Sequence, residues 1–253
     1  MSGRPIATND FTWNIGFNFT HNENKITKLT KTDDPNYAGV AVGLIAGGVG
    51  NFIQINKVGF PVNSFYVFEQ IYDTEGMPIE GLYVDRTGDG GQVTSNNLNK
   101  YQYHSPAPTA LMGINSSLTY KKLDFAFSGR ISIGNYLYNN NFSERARYST
   151  IYNQAGFFNN LPTAVNETNF NNPQYWSDFY VEDASFFKMD NIGLGYTFDQ
   201  LASQKLKARV SFTVQNAFII TDYSGIDPEV ASGIDNAIYP RPRTFLLGLN
   251  LTY

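Results

Sequence analysis

The chain of 253 residues carries few charged residues (16%) beside many aromatic ones (15%), which is unusual for a soluble domain, where about a quarter of the residues are charged. A net charge of −4 provides no basic surface that could neutralise phosphates, which argues against nucleic acid as a partner. No stretch approaches the roughly 18 apolar residues of a membrane-spanning helix, and the absence of cysteine excludes disulfide bonds and thiolate metal sites.

Alternation of apolar and polar side chains begins at residue 11. One face of residues 11–20 carries only apolar side chains: Phe11, Trp13, Ile15, Phe17 and Phe19. A period of two predicts a strand and not a helix. The same pattern predicts further strands over 112–120, 123–133, 192–198, 206–218 and 245–253. In the first of these, Ser116 interrupts the apolar face.

The middle of the chain, residues 31–109, is less regular. It contains a glycine-rich stretch from Gly39 to Gly50 and two short possible strands, over 52–58 and 64–72. The pattern does not separate loop from strand in this region. Gly43, Gly47, Gly48 and Gly50 do not form a phosphate-binding loop, because no Lys-Ser or Lys-Thr pair follows them. We expect a flexible loop there.

Three features favour a transmembrane barrel over a soluble sandwich. The clear strands run for about ten residues, which suits a tilted membrane strand. The connections 121–122 and 199–205 are short, whereas 139–185 and 220–243 are long and polar, as in barrels with long external loops. We further expect aromatic side chains at one level beside the turns and the chain end: Phe19 (before a turn at 21–24), Tyr120, Tyr196, Phe198 and Tyr253. Aromatic residues also favour strands in general, so the sandwich remains open.

The two faces of residues 206–218 differ most cleanly. In a barrel, Ala208, Val210, Phe212 and Val214 are expected to meet lipid. The polar side chains between them are expected to face the lumen: Lys207, Arg209, Ser211, Thr213 and Gln215.

The last third of the chain carries an extended motif. Gln215-Asn216-Ala217-Phe218 is followed by Tyr223-Ser224-Gly225-Ile226-Asp227-Pro228-Glu229, then by Gly233-Ile234-Asp235 and by Tyr239-Pro240-Arg241-Pro242-Arg243 before a final strand. This resembles the C-terminal end of the SusC/RagA family of TonB-dependent transporters, with Ala217 in place of the usual Leu. The motif positions are Gln215, Asn216, Tyr223, Gly225, Asp227, Pro228, Glu229, Gly233, Asp235, Tyr239, Pro240, Arg243 and Tyr253. Residues 187–198 resemble the family's penultimate descending strand. Residues 83–90, followed by 105–108, resemble another stretch of the family more loosely.

The resemblance implies an all-β, antiparallel transmembrane β-barrel of 22 strands, a size known for outer-membrane transporters with a plugged lumen. Residues 1–253 are then expected to be its C-terminal portion, with about eight to ten strands and without the plug domain. The start, Met1 to Pro5, has no apolar stretch that could act as a signal peptide, which also indicates a segment of a longer exported protein. The natural C-terminus is expected at Tyr253.

The function that the resemblance implies is import of nutrients (glycans, oligosaccharides or peptides) across the cell outer membrane. The implied partners are a SusD-like surface lipoprotein, TonB through the absent N-terminal part, membrane lipid and the nutrient. One alternative is a small self-contained barrel with a structural or adhesive role. Another is a barrel enzyme such as a lipase, which needs a Ser–His pair, but His21 and His104 lie in no recognisable catalytic arrangement. We expect no enzyme activity and no cofactor.

Two further candidate sites are weak. Asp85, Thr87, Asp89 and Gly90 match the opening of a calcium loop, but the twelfth position is Asn96 where a bidentate Glu is needed, so no specific calcium binding is expected. Tyr and Asn side chains over 136–180 could contact sugars or could be ordinary loop residues, and the sequence does not identify the substrate.

Overall fold

The computed structural model describes residues 1–32, 34, 36–88, 97–201, 206–236 and 239–252. The strands are β1 (Ser2–Ala7), β2 (Phe11–His21), β3 (Val40–Leu44), β4 (Phe52–Asn56), β5 (Ser64–Val67), β6 (Gln70–Tyr72), β7 (Pro78–Tyr83), β8 (Tyr101–Tyr103), β9 (Ala110–Tyr120), β10 (Leu123–Ile133), β11 (Tyr136–Asn139), β12 (Val181–Asp183), β13 (Phe186–Leu201), β14 (Leu206–Thr221), β15 (Ile234–Asp235) and β16 (Thr244–Thr252). The helices α1 (Asn140–Arg145) and α2 (Val165–Thr168) are short. Within the described residues, neither is long and apolar enough to cross a membrane.

Seven strands form one antiparallel sheet in the order β1-β2-β9-β10-β13-β14-β16. The predicted all-β, antiparallel fold is confirmed, and each segment that alternates with a period of two is a long strand of this sheet. The sheet has seven strands, which is fewer than the eight to ten barrel strands expected from the sequence. Within the described residues, the other strands are short and form three small sheets: β12-β11-β15, β3-β4-β5-β8 and β6-β7. Of these, β11 and β15 pair in parallel.

The connections alternate in length, and this places all long ones at the same end of the sheet. Residues 8–10 and 121–122 form short turns at one end, where β13 also passes into β14. At the opposite end lie the long connections 22–109, 134–185 and 222–243, which together we call the loop layer. The predicted asymmetry of short turns and long loops is confirmed. The predicted short turn at 21–24 is wrong, because β2 leads there into the longest connection.

The strand register corrects the predicted level of the aromatic side chains. Tyr120 lies opposite Leu123, and Leu123 lies opposite Tyr196, so these positions share one level near the short turns. Phe19 instead lies opposite Met112, at the loop end of the sheet. Strand β2 begins at the short-turn end of the sheet and runs toward the loop layer. The residue opposite Tyr120 is therefore Phe11, with ring centroids 6.3 Å apart. Tyr253 lies outside the described residues.

One face of the large sheet is a continuous apolar surface. A row of apolar side chains crosses all seven strands at one level: Ile6, Trp13, Leu118, Phe125, Leu194, Phe212 and Leu247. Phe212 is 46% exposed and Leu247 is 80% exposed. A soluble sandwich would bury this face against a second sheet. The exposed face therefore favours the barrel, in which the bordering medium is lipid.

Ser116 interrupts the apolar face without leaving its hydroxyl unpaired. The indole Nε1 of Trp13 on the neighbouring strand donates a hydrogen bond to Ser116 Oγ at 2.9 Å. The Ser116 hydroxyl in turn donates to the backbone oxygen of Asn14. The pair thus satisfies two polar groups where both would otherwise lie unpaired in an apolar setting.

The hydrophobic core of the chain lies in the loop layer. Its buried side chains come from all three long connections and pack as one cluster: Ile45, Ile53, Phe65, Val67, Tyr138, Phe142, Ala146, Val165, Phe170, Tyr180, Val181 and Ile234. The long loops are therefore a packed body standing on one end of the sheet. The glycine-rich stretch belongs to it, since Asn140 hydrogen-bonds both backbone groups of Gly47. Our expectation of a flexible loop does not describe this packing.

Candidate functional site

The motif residues converge where the last loop, residues 222–243, meets the polar face of the sheet. Arg130 of β10 and Lys188 of β13 lie directly opposite each other there. Two like charges in this position repel each other. The carboxylate of Glu229 lies between them, with Oε2 2.5 Å from Lys188 Nζ and Oε1 2.9 Å from Arg130 Nη1. The side chains of Lys188 and Glu229 are 6% and 12% exposed, so this contact is largely removed from water.

Arg241 completes the cluster from the far side of the loop. Its Nη1 lies 2.7 Å from Glu229 Oε2, and its Nε lies 3.1 Å from Asp227 Oδ2. Asp227 Oδ1 also accepts a hydrogen bond from the backbone N–H of Glu229 at 2.9 Å, which holds the turn around the buried Pro228. We call the set Arg130, Lys188, Asp227, Glu229 and Arg241 the latch. It fastens the last loop to the sheet.

The charges of the latch set the protonation of Glu229. Burial by itself would raise the pKa of Glu229, but the hydrogen bond from Lys188 and the positive charges of Arg130, Lys188 and Arg241 hold this pKa below its ordinary value. Glu229 is therefore ionised at neutral pH. Arg130 also makes a two-pronged ion pair with Asp190, at 2.7 and 2.8 Å, so no cation of the latch lacks a carboxylate.

A second cluster holds the beginning of the last loop. The hydroxyl of Tyr223 donates to Asp235 Oδ2 at 2.8 Å, and Asn141 Nδ2 donates to Asp235 Oδ1 at 3.0 Å. Burial raises the pKa of Asp235, while these two hydrogen bonds oppose the rise. Gly225 is required beside the ring of Tyr223, because a Cβ at that position would lie 2.4 Å from it.

Gln215 and Asn216 lie where β14 is irregular. Asn191 lies opposite Gln215 and Met189 lies opposite Phe218, so β14 has one extra residue at this point. Asn216 has a φ of 50°, in the left-handed region that asparagine tolerates better than most residues. Its Nδ2 donates to the backbone oxygen of Pro242 at 3.0 Å. The bulge thus gives the last loop another attachment to the sheet.

The remaining motif positions make fewer contacts with the sheet than the residues described above. Tyr239 is 93% exposed, and Pro240 and Arg243 border a small cavity beside Lys188. Tyr253 lies outside the described residues. The sequence interpretation missed Arg130, Lys188 and Arg241 as partners of Glu229. The signal for Arg241 was its position inside the motif, whereas the approach of Arg130 and Lys188 to Glu229 depends on the strand register.

Gly233 offers a direct test of how tightly the last loop packs. Its φ is 80°, and a Cβ there would lie 2.5 Å from Pro106 Cβ and 2.8 Å from Gln54 Nε2. We expect Gly233→Ala to destabilise the loop layer by about 2 to 4 kcal/mol, from a left-handed backbone and from overpacking. Gly156→Ala is the matched control, because Gly156 has a φ of 86° and open space around its Cβ. Hydrogen exchange of the loop peptides measures both, and equal costs would contradict the close packing.

The other candidates from the sequence do not form sites. Asp85 Oδ1 accepts hydrogen bonds from Thr87 and from the backbone of Gly88, as in a capped turn. Asp89, Gly90 and Asn96 lie outside the described residues, so the absence of calcium binding stays a prediction. The ring of His104 stacks on Tyr136, with centroids 3.6 Å apart. In the described part of the chain, neither histidine ring hydrogen-bonds a serine.

A cavity of about 500 Å³ opens beside the latch on the polar face of the sheet. Its lining combines latch side chains with small and apolar ones: Asn18, Pro106, Arg130, Phe186, Glu229 and Arg241. A volume of this size is in the range of small-molecule pockets. Because the charges of the latch are paired with each other, the cavity presents a mixed polar and apolar wall and not a strongly charged one.

The chain was compared with known proteins at the level of sequence and of structure. No family model matches it. It is 45% identical to the TonB-dependent receptor SusC of Bacteroides thetaiotaomicron over the whole chain, which covers 26% of that receptor. It is 28% identical to the TonB-dependent receptor P3 of Formosa agariphila, again over the whole chain and over 28% of that protein. The chain thus spans about a quarter of the length of these relatives.

The same relationship is found among solved structures. The RagAB peptide importer in its open-open state matches with a TM-score of 0.70 and 20% identity over the whole chain, which covers 28% of the importer chain. A further structure of the RagAB peptide transporter matches with a TM-score of 0.68 and 22% identity. These structural matches establish the fold, that of the RagA barrel, and the sequence match establishes the relationship. Together these matches support a segment of a SusC/RagA-type TonB-dependent receptor.

Proposed function

We propose that residues 1–253 form the C-terminal portion of the barrel of a nutrient importer in the cell outer membrane, whose plug domain lies elsewhere in the full-length protein. The observation that carries the proposal is the seven-stranded sheet with an exposed apolar face. Within the described residues, β1 and β16 each pair with a single neighbour. Unpaired backbone groups cost several kcal/mol each in lipid, so this sheet requires further strands to close.

The open edges also favour this proposal over the alternative of a self-contained barrel with a structural or adhesive role. Such a barrel would pair its first strand with its last, whereas in the described part of the chain β1 and β16 do not pair with each other. We further propose that the imported nutrient is a glycan, oligosaccharide or peptide that passes along the polar face of the sheet. TonB, acting through the N-terminal part of the receptor, supplies the energy. A SusD-like lipoprotein binds on the side of the loop layer.

The test is nutrient-dependent growth of the native host after deletion of the gene for the full-length receptor. We expect loss of growth on one class of glycan or peptide, with normal growth on simple monomers, and recovery when the full-length gene is restored. Membrane fractionation of the same strains is expected to place the receptor in the outer membrane. Unimpaired growth on every nutrient of a broad panel, or recovery of the protein outside the outer-membrane fraction, would refute the proposal.

A further inference from the structure

Lys100 lies in an unusual setting within the loop layer. Its Nζ sits in a cup of three aromatic rings, 4.1 Å from the centroid of Trp176, 5.3 Å from that of Phe68 and 6.0 Å from that of Tyr66. The cup is rigid. Trp176 Nε1 donates to the backbone oxygen of Phe52 at 3.2 Å, and Phe68 stacks on Tyr83 with centroids 4.8 Å apart.

Within the described residues, no carboxylate lies within ion-pair distance of Lys100. The two acidic residues next to the cup in sequence are engaged elsewhere. Glu69 pairs with Arg86, and Asp178 accepts hydrogen bonds from the Tyr101 hydroxyl at 2.6 Å and from the Gln70 backbone at 3.0 Å. By contrast, the more deeply buried Lys188 has Glu229 as its partner. In the described part of the chain, Lys100 is thus a partly buried cation whose charged group contacts aromatic rings and no carboxylate.

The cup opens into a cavity of about 620 Å³. Apart from Lys100, its walls are largely apolar: Ala41, Phe52, Ile55, Phe68, Leu98 and Trp176. This volume is within the range of small-molecule pockets, which are mostly apolar with a few well-placed polar groups. A partly dehydrated ammonium group in such a cavity is stabilised most by an anion, because a charge-assisted hydrogen bond replaces the hydrogen bonds to water that burial removed.

We propose that the cavity around Lys100 binds a ligand that joins a carboxylate group to a flat apolar body. The carboxylate meets Lys100 Nζ, and the apolar body fills the space between Phe52, Leu98 and Trp176. This binding site is separate from the latch and does not depend on the transport function. Burial lowers the pKa of Lys100 to about 8, so the free site carries its positive charge at neutral pH and loses it in mildly alkaline solution.

The test uses the purified full-length receptor in detergent and two probes, 4-phenylbutyrate and its neutral analogue 4-phenylbutan-1-ol. Calorimetric titration is expected to show saturable binding of the acid, at least about tenfold tighter than that of the alcohol. Lys100→Met should weaken binding of the acid by about tenfold or more, whereas Lys100→Arg should retain most of it. Lys57→Met is the matched control, since Lys57 is also part-buried in the loop layer but lines a different cavity.

The pH dependence gives a second readout that a merely structural lysine would not produce. Affinity for the acid should be nearly constant between about pH 6 and 7, where the probe is a carboxylate, and should fall above pH 8, as the free Lys100 loses its proton. Tyr66 is the other titratable group that lines the cavity in the described chain, and burial raises its pKa, so it stays neutral in this range.

Each outcome decides the proposal without reference to transport. Absence of saturable binding, equal affinity for acid and alcohol, or an unchanged affinity in Lys100→Met would overturn it and leave Lys100 as a side chain that only covers the rings. Because the measurement uses purified receptor and no TonB, binding in a receptor that supports no growth would refute the proposed function alone. Growth without binding would refute this inference alone.

Discussion

Phe212→Arg is expected to destabilise the receptor in a bilayer by roughly 2 to 4 kcal/mol, and Thr213→Arg by much less. Phe212 lies near the middle of β14, in the apolar row between Leu194 and Leu247, where an arginine would meet lipid. Thr213 points to the opposite face, next to Gly193, which leaves room for a longer side chain that water can reach. Unfolding by urea in lipid vesicles measures both variants.

Stability alone does not identify the medium that covers Phe212, because a sandwich core would give the same ranking. Single cysteines therefore provide the deciding measurement. At Val210, Phe212 and Val214 we expect protection from a water-soluble thiol reagent, and quenching of an attached fluorophore by brominated lipid. Cysteines at Ser211 and Thr213 are the matched controls on the other face. Lipid quenching at the control positions, or at neither set, would rule out the proposed orientation.

The long strands could be predicted from the sequence because alternation is a local property of each segment. Strand β1 belongs to the large sheet but was not predicted from the sequence, and it shows the limit of that signal. Its sequence, Ser2–Ala7, has no alternation and contains Pro5, which lacks the N–H that an inner strand must donate. It is tolerated here because, in the described sheet, β1 is an edge strand with an irregular register around that residue. An edge position is a property of the whole sheet and cannot be read from six residues.

Strand direction was also not contained in the local pattern. Residues 21–24 resemble a short polar turn, and this assigned Phe19 to the wrong end of the sheet. Only the pairing of Phe19 with Met112 shows that β2 runs toward the loop layer. The same dependence on strand pairing explains why the latch could not be predicted from the sequence. The motif supplied Asp227 and Glu229, but their basic partners on β10 and β13 come together only when the strands are aligned in register.

Glu229→Ala is expected to release the last loop from the sheet, at a cost of about 3 kcal/mol or somewhat more. Removing the carboxylate leaves Lys188, whose side chain is 6% exposed, as an uncompensated charge directly opposite Arg130. Breaking a buried pair in this way typically costs about 3 to 5 kcal/mol, and the partial exposure of Arg130 places the expected value at the lower end. Hydrogen exchange and limited proteolysis of residues 222–236 in the full-length receptor measure the release.

Acid should have the same effect as the substitution, with a defined sign. The pKa of Glu229 is lower in the folded protein than in the unfolded chain, so its contribution to stability is fully present above the ordinary glutamate pKa. It is lost as the pH falls through the lowered value. The last loop should therefore stay protected at neutral and weakly acidic pH and open only in stronger acid, whereas Glu229→Ala should show less of this pH dependence.

The matched control for Glu229→Ala is Asp124→Ala, which breaks the ion pair of Asp124 with Arg209 on the same polar face. Those side chains are 36% and 45% exposed, and such pairs contribute only about 0 to 1 kcal/mol. Combining Glu229→Ala with Lys188→Met should recover much of the lost protection, because no buried charge then remains without a partner. If Glu229→Ala costs no more than Asp124→Ala, or if the double variant opens more readily than Glu229→Ala alone, the last loop is held by packing and not by the charges of the latch.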